Sequence, residues 1–344
     1  MFRILKLINI LYITLLIFVF ISFSQIKANT LDDVKNRGYL NCGVAESFIG
    51  FASPDDSGEW IGFDVDLCRA VAVAIFGDSK KVNFIPTSNR SRFPALALKE
   101  IDLLARNTTW SYSRDTNLEF EFVGINFYDG QAFLVPKSLD INSITDLNGA
   151  SICVVSGTSN EINTENYFKK NSIEYKSMPF ETFQECQINY INENCDSYTG
   201  DLSVLAASRV EMPDPYNHII LPEIISKEPL GPLVRHGDNH WGDIIRWVLN
   251  VLIIAEEKNI NSENIDEYIK TGDSETLRML GEVGNYGDML ELDHKWAYKV
   301  IKEIGNYSTI YEKNIGINSV LAIEKRGLNN LWSNGGLLYA PPFR

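Results

Sequence analysis

A chain of 344 residues is long enough for one large domain or two of ordinary size, and its formal net charge of -14 restricts its partners. So acidic a surface repels the phosphates of nucleic acid and of anionic lipid, and neither is expected to bind. Five cysteines, with no CxxC and no paired Cys/His spacing, argue against a structural metal and, in an exported chain, for disulfides.

Export is read from the first element. Arg3 and Lys6 precede an apolar stretch from Leu7 to Phe23, and a polar region ending in the small Ala28 follows. That is the order of a signal peptide cut near Ala28. A permanent anchor is the alternative, because the stretch is long for a signal and Ile26, three residues before the cut, is larger than usual. Removing residues 1–28 takes away Arg3, Lys6 and Lys27 and no acid. The charge moves from -14 to -17, and about 316 residues remain.

Beyond Ala28, short apolar strands alternate with helical stretches. The strand LNCGV leads to GFDVDLCRAVAVAIFG, where Val65, Cys68, Ala72, Ile75 and Phe76 recur at helical spacing, with acids at the start and Gly77 at the end. The strand KVNFIPT, the helix SRFPALALKE and the strand IDLLA come next. After FYDGQAFLVPKS the pattern restarts: helix ITDLNG, strand SICVV, helix Asn160 to Asn171, strand IEYKSM, helix TFQECQINYIN, strand DSYTG, helix LSVLAAS. Alternation of this kind predicts parallel sheets covered by helices, here in two α/β lobes. Near the C-terminus, DHKWAYKVIKEIGNY has Trp296, Val300 and Ile304 at helical spacing.

Four of the cysteines fall on or beside these elements: Cys42 in LNCGV, Cys68 on the helix after it, Cys153 in SICVV and Cys195 just before DSYTG. The expected bridges are Cys42 with Cys68 and Cys153 with Cys195, with Cys186 free on a helix. Four cysteines alone allow three pairings.

In open α/β sheets ligands bind beyond the carboxyl ends of strands, where helix N-termini offer free N–H groups. Two loops fit that place. One is RNTTWSYSRD, Arg106 to Asp115, after IDLLA; the other is SGTSNE, Ser156 to Glu161, after SICVV. Gly157 allows close backbone approach, and the start of the following helix attracts an anion; ordinary capping by Thr158 or Ser159 explains the same residues. Arg114 is either a ligand cation or a surface partner of Asp115 or Glu119.

GFDVDL, IDLLARNTTWSYSRD, FYDGQAFLVPK, SGTSNE and CDSYTGD, in this order and spacing, resemble the amino-acid-binding solute receptors of bacterial ABC importers, from about Leu31 to Glu257. ISKEPLGPLVRHGDNHW and GLNNLWSNGGLLYAPPFR resemble the branch that serves general L-amino-acid uptake. The resemblance implies a two-lobed, type II or Venus-flytrap, periplasmic binding protein of the α/β class. Lobe 1 would be residues 29–132 with 233–344 and lobe 2 residues 133–232, joined by crossings near Tyr128 to Lys137 and Lys227 to Gly237. It further implies a periplasmic monomer that binds L-amino acids over a broad range, hands them to a membrane permease, and needs no cofactor.

By resemblance, Arg114 grips the ligand α-carboxylate, a task suited to its planar fork. Thr109 assists with hydroxyl and N–H, the backbone carbonyl of Asn107 accepts from the α-ammonium, and Thr158, with Ser159, donates from the second lobe. Asp201 receives the ammonium; otherwise it caps the helix LSVLAAS. The chain departs from the pattern at ESFIGF, where Gly50 replaces a proline, and at Asn89, Arg90 and Arg92, where a stacking aromatic often stands. Phe48, Glu46 and Arg90 are the candidates for the side-chain end of the pocket. Two other functions share the fold: a cyclohexadienyl or arogenate dehydratase-like enzyme, with His218, His236 or His240 as acid or base, and a sensory ligand-binding module. HGDNH spaces two histidines four apart, but Gly237 and Asp238 favour a turn and no third zinc ligand is evident.

Overall fold

The computed structural model describes residues 29–344, so the expected signal peptide lies outside the described residues. The chain enters through α1 (Thr30–Arg37) and builds β1 (Leu40–Ala45), the short hairpin β2 (Ser53–Pro54) and β3 (Trp60–Ile61), and α2 (Phe63–Phe76). Then come β4 (Val82–Thr87), α3 (Arg92–Ala97), β5 (Leu103–Leu104), α4 (Tyr112–Thr116) and β6 (Phe120–Phe122). A crossing strand, β7 (Phe127–Asp129), leads into β8 (Gln131–Pro136), β9 (Ser151–Val155), α5 (Ser159–Lys170), β10 (Lys176–Phe180), α6 (Phe183–Ile191), β11 (Ser197–Asp201), α7 (Leu202–Val210) and β12 (His218–Ile220). The chain returns through β13 (Glu228–Leu230) to β14 (Leu233–Arg235) and α8 (Asn239–Glu257). A C-terminal extension follows, with α9 (Ile265–Thr271), α10 (Ser274–Met279), α11 (Trp296–Ile304) and α12 (Tyr307–Asn314).

Two five-stranded sheets result, ordered β4-β1-β5-β14-β6 and β10-β9-β11-β8-β12. In each sheet four strands run the same way, and the fourth in order, β14 or β8, runs antiparallel to both of its neighbours. In each sheet the fourth strand follows a crossing directly: β8 after β7, and β14 after β13. The crossings pair with each other as a two-stranded ribbon, Glu228 opposite Asp129 and Leu230 opposite Phe127. Everything that moves one lobe against the other passes through this ribbon.

The expected elements appear with local adjustments. ITDLNG closes as a 3-10 turn, Ile144–Leu147, around a Ser143/Asp146 capping box, and the strand expected at IEYKSM shifts to Lys176–Phe180 to pair with β9. α2 is buried along most of its length, which explains why its apolar residues run nearly all round. It begins at Gly62, whose φ of 138° and closeness to the Phe51 carbonyl leave no room for a Cβ.

α11 lies on α2, burying Trp296 and Val300, so the extension covers lobe 1. Polar ties fix it further. Lys313 Nζ and Asn314 Nδ2 donate to the buried Asp66 carboxylate of α2 at 2.9 and 2.8 Å. The Asn329 amide accepts from the Tyr128 N–H (2.7 Å) and donates to its carbonyl (2.9 Å), binding the extension to β7.

Disulfides join Cys42 to Cys68 and Cys153 to Cys195, with Cα separations of 6.3 and 5.7 Å, and thus tie the second strand in the order of each sheet, β1 or β9, to a neighbouring segment. Cys186 is free and buried, and burial pushes its thiol up. Denaturing the unreduced protein should therefore expose one titratable thiol, mapped to Cys186 by mass spectrometry; Cys186 found bridged to Cys195 would refute the pairing. Replacing Cys153 and Cys195 by Ser should cost roughly 2–5 kcal/mol in denaturant unfolding.

Candidate functional site

The carboxyl ends of β5 and β9 face each other across the lobe boundary, and the loops that follow them supply the site. After β5, Asn107 adopts φ 28°, a left-handed conformation uncommon for a side-chain-bearing residue. Asp64 holds it there: its buried carboxylate accepts from the Asn107 N–H (3.1 Å) and from Asn126 Nδ2 (3.2 Å), and burial pushes its pKa up to about 6. Asp64, the first of the two aspartates of the GFDVDL segment, thus supports the loop without lining the cavity.

Arg114, on α4, donates through Nη1 to the Thr109 carbonyl at 3.0 Å, and its guanidinium carbon lies 5.7 Å from the centre of the Phe93 ring. Among the described residues it forms no ion pair, so neither Asp115 nor Glu119 is its partner. Burial lowers its pKa, while Glu228 and Asp201 oppose the shift. From lobe 2, Thr158 stands at the N-cap of α5, but its hydroxyl donates to the Val155 carbonyl (2.7 Å) instead of capping the helix. The first N–H groups of α5 therefore face the cavity without a side-chain cap.

Asp201 ends β11, 5% exposed, and accepts from Asn160 Nδ2 at 2.8 Å. Its side chain makes no cap hydrogen bond to α7. Burial raises its pKa well above the carboxylate range, Asp129 and Glu228 add to the rise, and Asn160 and Arg114 counter it. A cation brought beside it would restore its charge.

Asn107, Thr109, Arg114, Thr158, Ser159 and Asp201 line one cavity of about 10 Å³, together with Asn89, Arg92, Asn160 and Phe183. That volume holds about one water, so the lobes stand closed and must part before anything larger enters. Glu46 lines an adjoining cavity with Arg106, sharing Asn89 and Phe183 as walls. Phe48 stacks on Phe51 at 4.5 Å and lies 6.4 Å from Phe183, behind the lining. Arg90 is not brought into either cavity: it is exposed, and its Nη2 pairs with Glu181 Oε1 across the lobe boundary at 2.6 Å.

Glu228, quoted in ISKEPLG but given no role there, is the residue that sequence reasoning missed. It is 1% exposed on β13. Oε2 accepts from the hydroxyls of Thr109 (2.6 Å) and Ser159 (2.8 Å), and Oε1 from Asn163 Nδ2 (2.7 Å) and Ser226 Oγ (2.6 Å). One carboxylate thereby holds both lobes. Behind it a larger cavity, about 760 Å³, lies between the crossing strands and the C-terminal extension.

Residues 40–317 match the family described as bacterial extracellular solute-binding proteins, family 3. The chain belongs to that family. It is 50% identical to the general L-amino acid-binding periplasmic protein AapJ of Rhizobium johnstonii over 93% of this chain and 94% of the relative. It is 48% identical to the glutamate/glutamine/aspartate/asparagine-binding protein BztA of Rhodobacter capsulatus, over 92% and 94%. Among solved structures, an ABC transporter periplasmic binding protein from Brucella ovis with glutathione bound superimposes with a TM-score of 0.90 at 50% identity, covering 92% of this chain and all of that one.

Asp129, beside Glu228 on the ribbon, accepts from the Gly130 N–H (2.9 Å) and more weakly from the Ser203 N–H (3.3 Å). Burial, which these bonds oppose, pushes its pKa from the usual 3.8 up to about 6. A folded-state value raised in this way makes the proton stabilising: the contribution is complete below pH 3.8 and is lost as the pH climbs through about 6. Urea titrations of the ligand-free protein should show Asp129→Asn gaining stability relative to the parent between about pH 4 and about pH 6, with no further gain above that. A difference that stays constant across this window would contradict the assignment.

Proposed function

We propose that this chain is the periplasmic receptor of an ABC importer for L-amino acids, with the lobes 29–132 plus 233–344 and 133–232 closing on one ligand and presenting it to the membrane permease. The observation that carries the reading is the pairing, inside one closed cavity, of an arginine with unused donors and a buried aspartate that lacks a cation. The ligand α-carboxylate meets the Arg114 fork and the N–H groups opening α5 at Thr158 and Ser159. The α-ammonium meets Asp201 and the Asn107 carbonyl. The hydroxyls of Thr109 and Ser159 stay with Glu228, so these two residues serve chiefly by placing Arg114 and the start of α5.

Binding converts occupancy into shape, a shift between open and closed populations that a permease can sense. The clamp touches only groups common to all amino acids and so by itself admits a broad range, as the name of the Rhizobium relative suggests. Catalysis is the weaker reading because none of His218, His236 and His240 lines the cavity; His218 Nδ1 instead bonds the Tyr190 hydroxyl at 2.7 Å. A sensory module would have the same cleft, and ligand uptake by cells carrying this chain with its permease separates the two.

Calorimetry against the L-amino acids tests the clamp directly. D-isomers and decarboxylated amines should bind far more weakly than L-amino acids. Arg114→Lys loses the bidentate fork and Asp201→Asn the charge facing the ammonium; leaving one ligand charge poorly paired costs roughly 2–5 kcal/mol, at least about thirty-fold in affinity. The loss should be similar for every ligand. Unchanged binding by folded Arg114→Lys would move the site elsewhere.

A further inference from the structure

Arg114 is not the only guanidinium in the cavity. Arg92, the first residue of α3, lines the same walls at 3% exposure. Of its five N–H donors, one is engaged, in a long 3.4 Å contact from Nη1 to Thr108 Oγ1, and Nε has no partner among the described residues. Arg106, equally buried nearby, is satisfied by contrast: Nε donates to the Thr87 carbonyl at 2.8 Å and Nη1 to Asn89 Oδ1 at 2.9 Å. Arg106 is thus a structural brace, and Arg92 is a buried cation lacking its anion.

The surroundings sharpen this. Burial, then the charges of Arg106 and Arg114, push the Arg92 pKa well down, and only Asp201 opposes. Arg92 and Arg114 sit over one ring, their guanidinium carbons 4.8 and 5.7 Å from the Phe93 centroid, so the sum of those distances bounds their separation. A small ligand with a carboxylate at each end can bridge such a gap. The ionisable groups lining the cavity are two guanidiniums and one carboxylate, Asp201. That set is the complement of one ammonium and two carboxylates.

We propose that Arg92 is a second anion site, which takes a carboxylate on the ligand side chain, so that dicarboxylic L-amino acids are preferred over their amides and over neutral amino acids. The assignment rests on the reading of Arg114 as the α-carboxylate grip. It adds a selectivity for charge to a clamp that otherwise reads only shared groups, and it is the fork geometry of arginine that suits the task.

Calorimetry on the mature chain at neutral pH, with L-glutamate, L-glutamine and L-alanine as probes, tests it. The parent should bind glutamate at least about tenfold more tightly than glutamine. Arg92→Gln should erase that preference, weakening glutamate at least about tenfold and the other two less than about threefold, with Arg92→Lys in between. Equal binding of glutamate and glutamine by the parent, which needs no variant, would overturn the proposal. So would a loss shared alike by all three ligands in Arg92→Gln, which would put Arg92 on the α-carboxylate. Failure of the parent to bind any amino acid is a different result, and would overturn the clamp itself.

Discussion

Glu228 accepts four hydrogen bonds inside the protein: one from Thr109 of the first lobe, two from Ser159 and Asn163 of the second, and one from Ser226 on its own approach to the ribbon. Hydrogen bonds to a charged group contribute about 1.5–3 kcal/mol each, so this carboxylate is both a large stabiliser of the closed arrangement and a large liability if left bare. The lobes cannot separate without breaking either the Thr109 bond or the Ser159 and Asn163 bonds. Closure is therefore a discrete state with a defined set of partners, and α5 brings its N-terminus to the cavity because Ser159, its first residue, is one of them.

Around Glu228 the other charges are arranged with little slack. Asp129 and Asp201 crowd it from the ribbon and from β11, each raised by burial and by the neighbouring acids. Arg114 answers two of them from the first lobe. A closed, low-dielectric site with this composition leaves specific charges underpaired, and the zwitterion of the proposed function would supply the missing counterparts at both ends. The same account explains why the cavity is tight when closed: interactions of this kind are strong only where water is excluded.

The rest of the fold keeps these few side chains in place. Asp64 sets the strained turn at Asn107, and Asp66, two residues on in the same helix, anchors the C-terminal extension through Lys313 and Asn314. The extension then reaches back to β7 through Asn329. The two acids of GFDVDL thus connect the Asn107 loop of lobe 1 with the helices that cover that lobe, and hydrogen bonds through Asn329 tie the extension to the ribbon.

Much was determined by the sequence alone. Periodicity and glycine punctuation located the helices, and the repeat of the α/β unit indicated two lobes; the bridges Cys42 with Cys68 and Cys153 with Cys195 were expected from the elements that carry them, but the choice among three pairings was made by the tertiary structure. The loops holding Arg114 and Thr158 stood out as candidates because they follow strand ends and lead into helix starts, features with local signatures, whereas Asp201 was a candidate only through the family resemblance. What only the tertiary structure decided is which distant residues meet. Glu228 reads in sequence as one more acid before a proline; it becomes the joint of both lobes because the ribbon carries it past Thr109 and Ser159. Arg90 and Arg92, two residues apart, part company because Arg92 turns inward at the start of α3 while Arg90 stays exposed opposite Glu181. Burial and partner geometry depend on contacts far apart in the chain, and no local pattern encodes them.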